Sequence, residues 1–501
     1  MMNRILCGLV VCLTVFGICA CSGASKPGGG GGGGTGNGIL SLTLRATPPS
    51  PSANLSILTF RATVTGVSLT PSSGSAVSVG LISGTTSSYV VEFTRLQTDS
   101  ALLAAAVSVP AGTYSSLAVT FSDVLLTYCT QPSSGVAGCS SGSLTQVTGS
   151  AGAAIASSGP FPLTVTSGEK LGLALNVNIP NAIVASGQTI SAVNLAATNV
   201  LTSTVLQAPS STTDLSSGQL AHIDDLYGVV SNVSASAQTL TLQTAYRGAI
   251  SISANSSTTY DPACSAQSFS CVTSGALAAV DAILNADGTL TIRNYSPVPV
   301  LFTATSKDTI EGVVTVPPSS TNQVFNIAVT DASFAPSNSL LSGSIHPGNL
   351  VSVGVVTPQP FFIVSEGLTI PTNSFSGSTD VSPIKPGQTV AISLSGFVAA
   401  SGSNASATAT ANGVALRFTR VTGAVSNATT PQFSMTSLPP YLGFTANPLV
   451  QITTTGPGTT TDFDGASSFT GISTGNAVSI SALYFGTTVT LAFSAATVRK
   501  H

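Results

Sequence analysis

The chain has 501 residues, of which only 14 Lys+Arg and 17 Asp+Glu are charged, 6% against roughly 25% in an ordinary soluble domain. With 43% hydrophobic residues it has apolar material for real cores, which argues against disorder throughout, and its length allows about three or four domains. A net charge of −3 supplies no basic field to neutralise phosphates, so no nucleic-acid partner is expected, and three His starve most metal and acid–base chemistry.

The N-terminus reads as an address. Arg4 provides a positive n-region, and Ile5 to Ala20 form an apolar stretch of signal-peptide length, short for a transmembrane helix. It ends Ile18-Cys19-Ala20-Cys21 and resembles the lipobox of bacterial lipoproteins, which implies a signal peptide over 1–20 and lipidation of Cys21. Cys19 fits less well, because Ile18 would stand where a small side chain is needed. Ser22 follows Cys21 where the inner-membrane retention signal places Asp, so the resemblance implies sorting to the outer membrane. Residues 21–38 include seven consecutive glycines, Gly28 to Gly34, a composition expected to form a flexible tether with a reach of roughly 20–25 Å. No Gly-Lys-Ser/Thr follows the glycines and no strand precedes them, so this is not a phosphate loop.

Once Cys7, Cys12 and Cys19 leave with the signal and Cys21 takes lipid, four cysteines remain. Each close pair lies in a Ser/Gly-rich stretch, which favours Cys129–Cys139 and Cys264–Cys271 over the other two connectivities. The spacings do not suit Cys-x2-Cys zinc ligation, and no His lies nearby.

The body reads as strands. Apolar residues alternate with Ser, Thr, Asn and Ala at Leu40/Leu42/Leu44, Phe60/Ala62/Val64, Leu117/Val119/Phe121, Leu171 to Ile179, Leu240/Leu242, Leu290/Ile292, Val390/Ile392/Leu394 and Val489/Leu491/Phe493. Such alternation predicts antiparallel all-β structure with one face of each strand buried. Asp287-Gly288 marks a hairpin. Thr98 to Ala106, with Asp99 or Ser100 as cap, is the one helical candidate. The absence of long amphipathic helices excludes α/β enzyme folds.

The Ser/Thr run Ser210 to Thr213 divides the body. Residues 39–206 form one unit, expected to be a β-sandwich, and three repeats follow at about 221–300, 308–420 and 421–501, expected to be small barrels. A start motif recurs as Tyr227-Gly228-Val229-Val230, Glu311-Gly312-Val313-Val314 and Thr422-Gly423-Ala424-Val425. A second recurs as Thr259-Tyr260-Asp261, Ser374-Phe375-Ser376-Gly377 and Asp462-Phe463-Asp464-Gly465. The third joins Pro386-Gly387-Gln388-Thr389-Val390-Ala391-Ile392 to Thr474-Gly475-Asn476-Ala477-Val478-Ser479-Ile480, with a looser copy from Gly275 to Ala282. The middle repeat is longer, and Gly348 to Val353 is expected to belong to an insertion.

Leu40 to Leu44 with Pro48-Pro49, Val64 to Leu69, Val109-Pro110-Ala111-Gly112-Thr113-Tyr114 and Thr166 to Leu171 resemble the bacterial lipoprotein family called domain of unknown function 4382. Two acidic positions usual in that family are replaced, by Arg45-Ala46-Thr47 and by Ala192-Val193-Asn194-Leu195, which removes any ligand role for them. The later repeats resemble the small-barrel family called domain of unknown function 5666. Together the resemblances imply a sandwich followed by barrel-like modules on an envelope lipoprotein, without an established activity.

Chemical motifs are sparse. Gly138-Cys139-Ser140-Ser141-Gly142 satisfies Gly-x-Ser-x-Gly but lacks the strand and helix of a nucleophile elbow. His222-Ile223-Asp224-Asp225 is the one His–carboxylate cluster; it reads as a solvated linker, with His346 and His501 supplying no obvious partners. Asp462 and Asp464 could recruit Ca²⁺, although a polar turn is favoured because a full site needs six to eight oxygens. No Trp is present to stack on sugars, and the aromatic girdles of an outer-membrane barrel are lacking. The expectation is a non-catalytic, lipid-anchored envelope protein without cofactor or metal. Its partners would be the membrane, through the N-terminal lipid, and a glycan or envelope protein. The alternative is a secreted hydrolase with β-rich accessory domains.

Overall fold

A computed structural model describes residues 36–501 except for 50–54, 82–87, 131–136, 140–142, 207–214, 216–217, 299–307, 319–322, 335–338, 342–343, 357–358, 371–374, 376–379, 402–405, 455–459, 488–490 and the side chain of Asp225. The signal peptide (1–20), Cys21, most of the Gly-rich tether, the Ser210 to Thr213 boundary, Val489 and Ser140 to Gly142 lie outside the described residues. Regular structure is almost entirely β, as the alternation predicts.

The N-terminal unit is a two-sheet sandwich. In one sheet, strand Asn37–Thr47 lies between Lys170–Asn178, to which it is parallel, and Ala101–Pro110, to which it is antiparallel, with Leu201–Leu206 at one edge. Asn37 and Gly38, expected in the tether, are already paired. The other sheet is built on the long strands Leu55–Pro71 and Gly112–Thr130. Leu40, Leu42 and Leu44 meet Phe60, Val64, Val119 and Phe121 between the sheets, all essentially inaccessible, and Phe93 packs edge-on against Phe60 and Phe121. The intervening Ser41 and Thr43 are buried as well, because the outer face of this sheet packs on the repeats.

The helical expectation over Thr98 to Ala106 is corrected. Arg95–Gln97 is a short 3-10 turn, and Ala101–Pro110 is a strand paired to Asn37–Thr47. Its Ala/Leu run serves two cores: Leu103 enters the sandwich and Leu102 the first repeat. A strand with both faces buried carries no period of two and is easily read as a helix.

Each repeat folds into six strands in the spatial order third, second, first, fifth, sixth, fourth. They begin at Gln219, Thr309 and Thr419, within two residues of the expected boundaries. The third strand also pairs in parallel with the sixth, over five residue pairs in the second repeat, four in the third and Ser253–Thr291 alone in the first. The short fourth strand continues along the same sixth strand. The result is a five-stranded Greek-key barrel of OB type, closed in the second and third copies.

The repeated motifs hold equivalent places. Val230, Val314 and Val425 each donate an N–H to Ala276, Gln388 and Asn476, and each accepts one from Gly275, Gly387 and Gly475. Those three glycines have φ of +83°, +86° and +89°, a left-handed conformation that favours Gly. In the start motif, a Cβ on Gly312 or Gly423 would come within 2.6 or 2.7 Å of the Ala328 or Thr436 carbonyl oxygen, and Gly228 meets Gln243 in the same way. The second motif is corrected in its middle copy. The counterpart of Thr259–Tyr260 and Asp462–Asp464 is strand Phe361–Ile363, not Ser374 to Gly377, of which only Phe375 is described, packed on Phe361. Gly348 to Val353 is likewise no insertion, because it leads into the third strand, Leu350–Val355, that every copy possesses. The extra length lies in the connections 334–349 and 364–380. The Asp287-Gly288 hairpin forms as expected, with Gly288 at φ +81°.

Both disulfides form as expected, with Cα separations of 5.9 Å for Cys129–Cys139 and 5.7 Å for Cys264–Cys271. Cys129 lies near the end of a strand, and its bridge fastens a loop that clasps the repeats. The Gly138 N–H donates to the Tyr441 carbonyl and the Cys139 N–H to the Thr315 carbonyl.

Replacing Gly312 by Ala is expected to cost about 1–3 kcal/mol in denaturant unfolding, since a backbone carbonyl would have to move. Gly354→Ala in the same barrel, where the new Cβ would meet only the Ala409 oxygen at 3.8 Å, is expected to change stability by under ~0.5 kcal/mol. Equal losses in the two variants would discard the close-approach explanation.

Candidate functional site

In a chain so poor in charge, the charged residues converge where the sandwich meets the three barrels. The turn Arg95–Gln97 is the hub. Glu92 fixes it, its carboxylate accepting from the Phe60 N–H at 2.6 Å, the Thr94 hydroxyl at 2.5 Å and the Arg95 N–H at 3.0 Å. Burial nevertheless pushes the Glu92 carboxyl above its ordinary range, with these donors only partly offsetting it.

From this turn, Arg95 Nη1 donates to Glu311 and Asp331 of the second barrel, both at 3.0 Å. Arg247 of the first barrel reaches the same Asp331 at 2.8 Å. Arg417, fully buried, donates to Glu311 at 3.0 Å and Glu366 at 3.1 Å, and its guanidinium lies 5.4 Å from the centroid of the Tyr227 ring. From the third barrel, Arg420 pairs with Asp99 at 2.9 Å, Thr422 donates to Gln97 Oε1 at 2.7 Å, and Arg499 Nη1 donates to the Leu96 and Asp99 carbonyls. No motif or spacing in the sequence marks these contacts. The available signal was a charged residue embedded in an apolar run, as in Ile310-Glu311-Gly312-Val313 and Ala415-Leu416-Arg417-Phe418.

The expected candidates fall within this same junction. His222 and Asp224 are not in a solvated linker: they lie in the first strand of the first barrel, Gln219–Ser234, beside core residue Ile223. A register shift between Ile223 and Leu226 interrupts the alternation and hides the strand. Asp224 faces Arg293 at 3.9 Å, and Arg293 also pairs with Asp281 and Asp462. Asp462 and Asp464 do not form the expected turn; they make a short strand. Asp464 takes Arg45 at 3.0 Å and Arg499 at 2.9 Å. Burial raises the Asp464 carboxyl, but the two guanidiniums outweigh it and hold it below the usual range. Oxygens aimed at guanidiniums do not constitute the six to eight ligands of a Ca²⁺ site. Among the described residues no cluster of three or more His, Cys, Asp and Glu could hold a metal. The His346 ring lies tilted against Tyr246, 5.9 Å between centroids, and His501 shares a hydrogen bond with Ser479.

Beside the hub lies an open-mouthed cavity of about 150 Å³, bounded by the sandwich and by the second and third barrels. Leu55, Ile57, Leu58, Ile183, Val313 and Pro439 supply apolar wall. Thr94, Arg95, Gln97, Arg420, Thr422 and Tyr441 supply the polar part. A mainly apolar concavity with a few convergent donors is the form that small-molecule sites take.

No family model matches the chain, and no curated protein matches it.

Glu311→Gln, which removes one charge shared by two buried guanidiniums, is expected to lower stability by about 3–5 kcal/mol in denaturant unfolding; an effect below ~1 kcal/mol would show that the pairs contribute little. Asp224 is pushed up to about 7, by burial first, against the pull of Arg293. A carboxyl raised in the folded state contributes stability that is full below its unfolded value near 4 and is lost as pH rises through 7. Asp224→Asn is therefore expected to gain on the wild type by about 4 kcal/mol between pH 4 and pH 8. A difference constant over that range would refute the raised value.

Proposed function

We propose that this protein is a non-catalytic cell-envelope lipoprotein, held to the outer membrane through Cys21 and a Gly-rich tether, whose β-modules act together as one binding body. The observation that carries this reading is the use made of the charged side chains. In this junction Glu311, Asp331, Asp99 and Asp464 are each placed against a guanidinium of another module, and Glu366 against Arg417 of its own barrel. A junction of that kind favours a fixed arrangement of modules presenting a surface or a cavity. The lipobox-like Ile18-Cys19-Ala20-Cys21 and the resemblance to domains of unknown function 4382 and 5666 support the envelope setting. The hydrolase reading rested on His222 to Asp225, of which His222 and Asp224 are strand residues beside Asp464 and Arg293. A glycan or another envelope protein is the partner class that the Ser/Thr-rich, weakly charged faces suit.

Metabolic labelling with an alkyne fatty acid is expected to mark the wild type and not Cys21→Ala, with the label carried on the N-terminal fragment. Proteolysis of intact cells then reads orientation: digestion places the body outside the cell, and protection places it in the periplasm. An unlabelled chain found in the soluble fraction would overturn the anchored reading.

A further inference from the structure

We propose that the cavity between the sandwich and the second and third barrels binds a small anionic amphiphile, the size of one aromatic ring, bearing a carboxylate-type group. This deepens the binding reading above and rests on it for its biological setting, though the chemistry comes from the cavity alone. A cavity of about 150 Å³ matches the space in which an engineered apolar site of similar volume holds benzene. Its walls supply aliphatic contact from three bodies, which a ring or short branched chain would fill.

The polar part is one-sided. Among the described residues, Arg95 and Arg420 line the cavity and no Asp or Glu does. Their partners Glu311, Asp331 and Asp99 are not among the lining residues. The Tyr441 side chain adds a donor. Its residue is 4% exposed, and its hydroxyl has no hydrogen-bond partner among the described residues. Burial raises this phenol well above its ordinary value, so it remains protonated and able to donate. An anionic ligand oxygen in the cavity would give this hydroxyl an acceptor. A charged oxygen placed here would share Arg95 and Arg420 with the carboxylates they already pair. A cation or a neutral hydrocarbon would gain nothing from these groups.

The test uses the full chain, in lipid nanodiscs where it is lipidated, titrated calorimetrically with benzoate, benzyl alcohol and benzylammonium against empty-disc blanks. Benzoate is expected to bind saturably at one site, roughly tenfold more tightly than benzyl alcohol, with benzylammonium not binding. Tyr441→Phe is expected to weaken benzoate by roughly three- to tenfold. Ala185→Trp, at an exposed position on the rim, blocks the opening without touching the core and is expected to abolish binding; its indole is the only one in the chain, so emission confirms the fold. Absence of saturable benzoate binding at millimolar concentration, equal affinity for benzylammonium, or wild-type affinity in both variants would overturn the assignment. Failure on a lipidated chain removes the cavity and leaves the anchor; binding by an unlipidated chain removes the anchor and leaves the cavity.

Discussion

Glu311 has no access to water, and its position determines where much of the molecule must sit. A carboxylate with 0% exposure can stay ionised only if cations are brought to it. They come from two places: Arg95 from the sandwich and Arg417 from the end of its own barrel, with Arg420 of the third barrel 4.0 Å away. The loss on taking such groups out of water is several kcal/mol per ion, so the net gain in stability is modest. What the pairs provide is discrimination. Modules meeting only through aliphatic faces could slide over one another at little cost, whereas any displacement here strands a buried charge.

The same reasoning explains why so few charges are spread elsewhere. Seven arginines meet eight carboxylates in the ion pairs of the described residues, an excess of one negative charge in a poorly solvated region. Asp224 is where that excess is relieved. It shares Arg293 with Asp281 and Asp462, and its proton is held to about pH 7. Arg293 itself is held firmly charged, because its three carboxylates outweigh the effect of burial.

What was legible in the sequence was local. Alternation at Leu40/Leu42/Leu44 and Val390/Ile392/Leu394, the Asp287-Gly288 turn and the recurring Gly-x-x-Val pattern all act within a few residues, and all correspond to the expected strands or turns. The close cysteine pairs were legible for the same reason. The junction was not, because its partners lie far apart in the chain, 216 residues for Arg95 and Glu311 and 321 for Arg420 and Asp99. Two strands were hidden, one by burial on both sides and one by a register shift. Ala101–Pro110 serves two cores and lost its period of two, and His222–Asp224 lies where a register shift masks it.

The repeats show how three copies of one barrel can occupy three different places. The residue before the start-motif glycine is Tyr227, Glu311 or Thr422. It is preceded in each copy by a core residue, Leu226, Ile310 or Val421, so alternation turns it outward. Each of these outward positions faces a different neighbour. The Tyr227 hydroxyl bonds Thr309 of the second barrel at 2.9 Å while its ring lies against Arg417; Glu311 receives Arg95; Thr422 donates to Gln97. The glycine that follows cannot vary, because any Cβ would strike the second strand, and the valine two positions beyond the glycine is held by the same pair of backbone hydrogen bonds in every copy. Divergence is thus confined by packing to the two positions of the motif that look outward, the one before the glycine and Val229, Val313 or Ala424. A single substitution there changes what a barrel can dock against without disturbing how it closes.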